Sequence, residues 1–91
     1  MYYENLLRLC DNALLHLYTS ISLTGRFASS SERNEILVKF LKNKVKLPEY
    51  KDLKKDLKLL VRVGRNKNMK LEVRLIELKE ISFKLVHGEH E

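Results

Sequence analysis

Tyr50 to Arg65 reads YKDLKKDLKLLVRVGR. At the helical period, Tyr50, Leu53, Leu57, Leu60, Val61 and Gly64 fall on one side. Lys51, Lys55, Lys58, Arg62 and Arg65 repeat at 4-3-4-3 spacing on another, with Lys54 between the two. At about 100° per residue the two stripe centres lie roughly 135° apart. A helix with this pattern buries one face and presents a cationic ridge on another. The ridge is the strongest functional signal in the chain.

Upstream, Leu47-Pro48 ends the preceding segment, because proline disfavours the α conformation of the residue before it. The third helix therefore opens near Pro48 or Glu49, with a carboxylate at its positive end, and stops at Gly64, covering about 49–63. Ser29 and Glu32 have capping-box spacing and introduce a second helix over about 31–46. Ile36, Leu37, Phe40, Leu41 and Val45 form its buried side, while Lys39, Lys42 and Lys46 repeat outside. Downstream, 69–86 reads two ways. Leu71, Leu75, Leu78 and Leu85 fit a helix closed by Gly88; Leu71-Val73-Leu75 and Ile81-Phe83-Leu85 alternate as strands do. The propensity of Glu77-Leu78-Lys79-Glu80 favours the helix.

The first helix, about 2–23, carries Tyr3, Leu7, Cys10, Leu14, Leu17 and Ile21 in a heptad rhythm. A second stripe runs beside it: Tyr2, Leu6, Leu9, Ala13, His16 and Leu23. Two stripes require two packing surfaces. The expected second surface is another subunit, met through Leu6, Leu9, Ala13 and His16, with Leu59 and Val63 added from the third helix. A central helix within one chain is the other way to satisfy the pattern. Cys10 sits among apolar positions and reads as an inert core residue. Thr24-Gly25 reads as a helix stop.

The 91 residues make a single domain, 1–91, of all-α class: an up-and-down four-helix bundle, short enough that homo-oligomerisation is expected. The 44% hydrophobic and 33% charged composition is that of a globular chain. No apolar run reaches the roughly 20 residues of a membrane span. The N-terminus lacks a basic signal-peptide region, and the lone Cys10 fits a reducing compartment, so the expected location is cytoplasmic. The formal charge of +6 is uneven. Lys39 to Lys70 holds twelve Lys/Arg against Glu49, Asp52 and Asp56, a local net of +9 that leaves −3 elsewhere. Such asymmetry points to a polyanionic partner; a solvated lysine-rich surface would show the same composition.

No constellation for catalysis stands out. There is no phosphate-cradling glycine loop, no CxxC, no HExxH and no nucleophile elbow, and no cofactor is expected. His87-Gly-Glu-His90 has metal-ligand residue types but lies on a terminal tail, so no metal site is assigned.

The stretch from Leu53 to Gly88, LKKDLKLLVRVGRNKNMKLEVRLIELKEISFKLVHG, resembles the four-helix-bundle proteins that include the 23S rRNA intervening-sequence proteins. Within that group it is most similar to the Avd accessory proteins of diversity-generating retroelements. There a leucine- and arginine-rich helix leads through a polar link into a last helix closed by glycine-tryptophan. Leu57, Leu60, Arg62 and Arg65 match the first part. Leu75, Leu78, Glu80 and Ile81 match the last helix, and Gly88 its closing glycine, with no tryptophan after it. The resemblance implies a basic homo-oligomer that binds nucleic acid and a partner reverse transcriptase.

The expected function is therefore non-enzymatic binding of RNA or DNA. Lys51, Lys54, Lys55, Lys58, Arg62 and Arg65 would contact phosphates, extended by Lys39, Lys42 and Lys46. One alternative is a protein–protein adaptor using the apolar first helix. Another is a winged-helix DNA binder, with 57–76 as the wing and Arg65 and Lys67 at its tip.

Overall fold

The computed structural model describes residues 1–24 and 27–88. It is all-α: α1 (Tyr2–Thr24), α2 (Ser30–Lys44), a 3₁₀ segment (Pro48–Leu53), α3 (Lys54–Arg65) and α4 (Leu71–Val86). No strand occurs among the described residues, so 69–86 follows its helical reading and the winged-helix alternative fails: 57–76 is the body of α3, a short link and the start of α4. Gly25 and the Glu89-His90 part of the tail motif lie outside the described residues.

Local signals account for the start of α2 and the end of α4. Ser29 is the N-cap of α2, and its hydroxyl accepts from the Glu32 amide at 3.2 Å. The Glu32 carboxylate returns to the Ser29 amide at 3.3 Å, completing the capping box. Gly88, after α4, takes a left-handed φ of 64°, the conformation for which glycine carries no Cβ penalty. The third helix departs from the expected single run. Pro48 opens a 3₁₀ turn, Tyr50 bends it at φ −108°, ψ 18°, and the α-helix begins only at Lys54. The 3₁₀ turn eclipses positions i and i+3, and Tyr50 and Leu53 enter the core together. The second helix ends at Lys44, which leaves Lys46 beyond it.

α1 resolves its double stripe within one chain. It packs most extensively on α4 and also touches α2 and the 3₁₀ segment. Leu6, Leu9 and Ala13, expected at a subunit interface, are buried inside the molecule beside Cys10, Leu14 and Leu17. Full burial of a leucine such as Leu9 is worth about 1.5–3 kcal/mol, so these residues are core and not a docking surface. Leu6 and Leu9 are therefore not available to an adaptor surface, while Leu15 and Leu23 of the same helix stay exposed. His16 lies at the surface, its ring stacked on Phe40 of α2 at 5.0 Å. Burial pushes the Cys10 thiol up to about 12, which keeps it unreactive. Ser82 Oγ is buried with no partner among the described residues.

The pairs Asp11–Lys79 (2.9 Å) and Tyr18–Glu72 (3.0 Å) set α1 and α4 antiparallel. At one end a polar clamp joins α1, α2 and α4. Arg33 donates from Nε and Nη2 to the two Glu72 carboxylate oxygens at 2.7 and 2.9 Å, and Tyr18 donates to the same carboxylate. Asn34, itself buried, donates to the Met69 carbonyl at 2.8 Å and accepts from the Leu71 amide at 3.1 Å. α4 has no side-chain cap of its own, so Asn34 supplies one from another helix.

The hydrogen bond from Arg33 holds the Glu72 carboxyl below its ordinary value of 4.5, against burial, with Tyr18 and the charges of Arg33 and Lys70 adding in the same direction as Arg33's bond. A depressed folded-state pKa stabilises the fold above the unfolded value and loses that contribution as pH falls through the folded one. Going from about pH 6 to about pH 3, the melting temperature of the native chain is expected to fall further than that of Glu72→Gln, measured by circular dichroism. Equal falls would show that the pair contributes nothing.

Candidate functional site

α3 has three faces. Leu57, Leu60 and Val61 are buried. Lys54, Lys55, Lys58, Arg62 and Arg65 are exposed on a second face. On the third, Leu59 and Val63 line a small cleft with Tyr2, Leu6, Arg74 and Leu78. Tyr2 donates to Asp56 at the edge of this cleft, and that carboxylate acceptor is the chief cause raising the Tyr2 phenol to about 12. Val63 packs against the core and Leu59 is 50% exposed. Of the expected interface residues, Leu59 and His16 thus stay exposed.

The cationic face of α3 meets α2 along two adjoining grooves. The first, about 380 Å³, is lined by Lys42 of α2, by Val45 just beyond its end, and by Lys58, Val61, Arg62 and Arg65 from α3. The second, about 800 Å³, lies where the start of α2 meets the α3–α4 link. Lys39, Lys42, Arg65, Lys67 and Lys70 surround it, with Ser30, Ser31, Asn34 and Asn68 adding polar groups and Glu35 the one carboxylate. Val38, Gly64 and Met69 give it an apolar portion. Lys42 and Arg65 belong to both grooves, which join the two into one basic strip.

Among the described residues the cations of the strip form no ion pair within 4 Å. Among the described residues the ion pairs use the N-terminal amine, Arg33, Arg74 and Lys79, and none uses Lys39, Lys42, Lys58, Arg62, Arg65, Lys67 or Lys70. Each of these seven side chains belongs to an exposed residue. A row of exposed cations of this kind attracts an external anion.

The expected ridge is thus kept in part and extended in part. Lys58, Arg62, Arg65, Lys39 and Lys42 come together. Lys51 does not continue their helical row, because it sits on the 3₁₀ segment, where the repeat is three residues and not 3.6. Lys54, Lys55 and Lys46 are exposed but line neither groove. Lys70 and Met69 belong to no surface expected from the sequence, and Lys67 only to the wing tip of the winged-helix alternative, since helical periodicity says nothing about a link. The basic composition of Gly64-Arg-Asn-Lys-Asn-Met-Lys70 is the signal that marks them.

The link is held in place by local bonds. The Asn68 amide donates to Asn66 Oδ1 at 2.9 Å, and the Met69 amide donates to the Asn66 carbonyl at 3.2 Å. Asn34 then fixes both Met69 and Leu71. Among the described residues no cluster of His, Cys, Asp or Glu could hold a metal ion, and no helix is long and apolar enough to cross a membrane.

Compared with known families, the whole chain, residues 1–91, matches DUF2913, described as a protein of unknown function, and the chain belongs to that family. No curated protein and no solved structure matches it.

Gly64 sets how closely α2 and α3 approach beside the grooves. A Cβ at this position would run into Val38 Cγ2 and would lie 2.7 Å from Leu71 Cδ2. Alanine gains about 1 kcal/mol of helix propensity, but overpacking against a stiff β-branched side chain costs about 1–3 kcal/mol. Gly64→Ala is therefore expected to lower stability by about 1 kcal/mol in urea unfolding. A stabilised variant would show that the helices have room to spare.

Proposed function

We propose that this member of the DUF2913 family is a non-enzymatic protein that binds nucleic acid by phosphate contacts along the α2–α3 strip. One observation carries the reading: seven exposed cations without ion-pair partners among the described residues line two adjoining grooves that share Lys42 and Arg65. Lys58, Arg62 and Arg65 succeed one another at steps of about 5–6 Å along α3, a spacing that suits successive phosphates on a strand. Such contacts position the protein on its ligand without reading bases. The finer architecture we assign is an up-and-down four-helix bundle that works as a homo-oligomer. Leu59, Ile81 and Leu85 are among the exposed apolar side chains available for subunit contact, as are Leu15 and Leu23 of α1. The resemblance of residues 53–88 adds an accessory role beside a nucleic-acid enzyme such as a reverse transcriptase.

If about five to seven phosphates are engaged, log affinity against log salt falls with a slope of about −4 to −6 in fluorescence anisotropy with labelled oligonucleotides. Charge reversal of Lys42, Lys58, Arg62 and Arg65 to Glu is expected to abolish binding in a folded protein. Reversal of Lys46, Lys51 and Lys54, outside both grooves, is expected to weaken it far less. Salt-independent affinity, or equal losses from the two sets, would contradict a site on the strip.

A further inference from the structure

The two halves of the basic strip differ in a way that bears on which nucleic acid it takes. Along α3 the lining is a shallow groove between two helices, with cations on both walls: Lys42 on one, Lys58 and Arg62 on the other. At the link the strip opens into the larger hollow of about 800 Å³. That volume lies in the range of pockets that enclose a small organic ligand, far more than a phosphate needs. Its lining is also mixed. Val38 and Met69 present apolar side chains, Gly64 presents bare backbone, and Asn68 presents an amide with no side-chain commitment among the described hydrogen bonds. Met69 is 45% exposed, and thioethers adapt to flat, polarizable surfaces. Lys39, Lys67 and Lys70 stand at the same hollow.

We propose that the hollow receives an unpaired nucleobase, so that the ligand of the strip is single-stranded nucleic acid. The inference rests on the phosphate-binding reading above and adds the strand state of the ligand. A strand whose backbone runs past Arg62 and Arg65 delivers its next base to the hollow, because Lys42 and Arg65 line both grooves. The base covers Met69 and Val38, and its backbone meets Lys67 and Lys70. A duplex cannot make this contact without unstacking and unpairing a base, which costs a few kcal/mol. Base contacts of this sort tolerate any base, since each has an apolar face, so no strong sequence preference follows.

The test measures the purified full chain against labelled single-stranded oligothymidylate and oligouridylate, a DNA duplex of the same length, and inorganic polyphosphate as a competitor, at one low salt concentration. The expected result is at least about tenfold tighter binding of a single strand than of the duplex, with polyphosphate a weak competitor. The DNA and RNA strands report which sugar is preferred. Met69→Glu places a charge in the hollow and is expected to weaken single-strand binding by about fivefold or more, and duplex binding, which feels the charge alone, by a clearly smaller factor. Met69→Ala is the milder second variant. Both should keep the fold, because Asn34 holds the Met69 backbone carbonyl and not its side chain. Equal affinity for duplex and single strand, equal competition by polyphosphate, or indifference to both Met69 variants would overturn the base pocket and leave the phosphate strip standing. Absence of binding to every probe would overturn the strip as well.

Discussion

The Asn34 side chain is the constraint on which the arrangement of the molecule depends. It bonds both ends of the turn into α4, accepting the Leu71 amide and donating to the Met69 carbonyl. Leaving either group buried and unmet would cost about 1–3 kcal/mol. The neighbouring Arg33–Glu72 pair, joined by Tyr18, extends the clamp to α1. One cluster therefore fixes where α4 starts, how α1 and α4 are paired, and where the link 66–70 lies against α2. That last consequence matters for function, because Lys67, Met69 and Lys70 reach the strip only if the link is held there.

α3 shows how a small chain divides its surface. Twelve residues, Lys54–Arg65, provide a core face, a cationic face and an apolar flank. The core face fixes the rotation of the helix, and this rotation sets Lys58, Arg62 and Arg65 beside α2 while leaving them exposed. Gly64 completes the arrangement by letting Val38 and Leu71 approach the helix backbone. Cations on two helices then share one groove, which concentrates positive potential more than a single exposed ridge would.

Local chemistry was legible in the chain, and long-range choices were not. The Ser29–Glu32 box, the interruption around Leu47-Pro48 and the cationic face of α3 depend on near neighbours; the box is found where capping places it, while α2 ends earlier, at Lys44, and the α-helix resumes only at Lys54. The double stripe of α1 is different. Leu6, Leu9 and Ala13 would look the same whether they met another subunit or the rest of their own chain; packing against α4, α2 and the 3₁₀ segment decides the matter. The bend at Tyr50 is also non-local, since it follows from placing Tyr50 and Leu53 in one core. The helix-or-strand ambiguity of 69–86 has the same origin: alternation at Leu71-Val73-Leu75 is real, but only Leu71 and Leu75 are buried and Val73 is exposed. The functional surface follows this division. Lys58, Arg62 and Arg65 come from a helical repeat, whereas Lys67 and Lys70 join them through a link whose position is set by Asn34, far away in sequence.

The most direct test of the account is a map of amide chemical-shift changes when a short single-stranded oligonucleotide is titrated into isotopically labelled protein. The account predicts changes concentrated at Lys39, Lys42, Arg62, Arg65 and the 66–70 link, with the α1 residues Asp11 to Tyr18 undisturbed. Changes centred on α1 and the outer face of α4, with the α2–α3 strip silent, would contradict it.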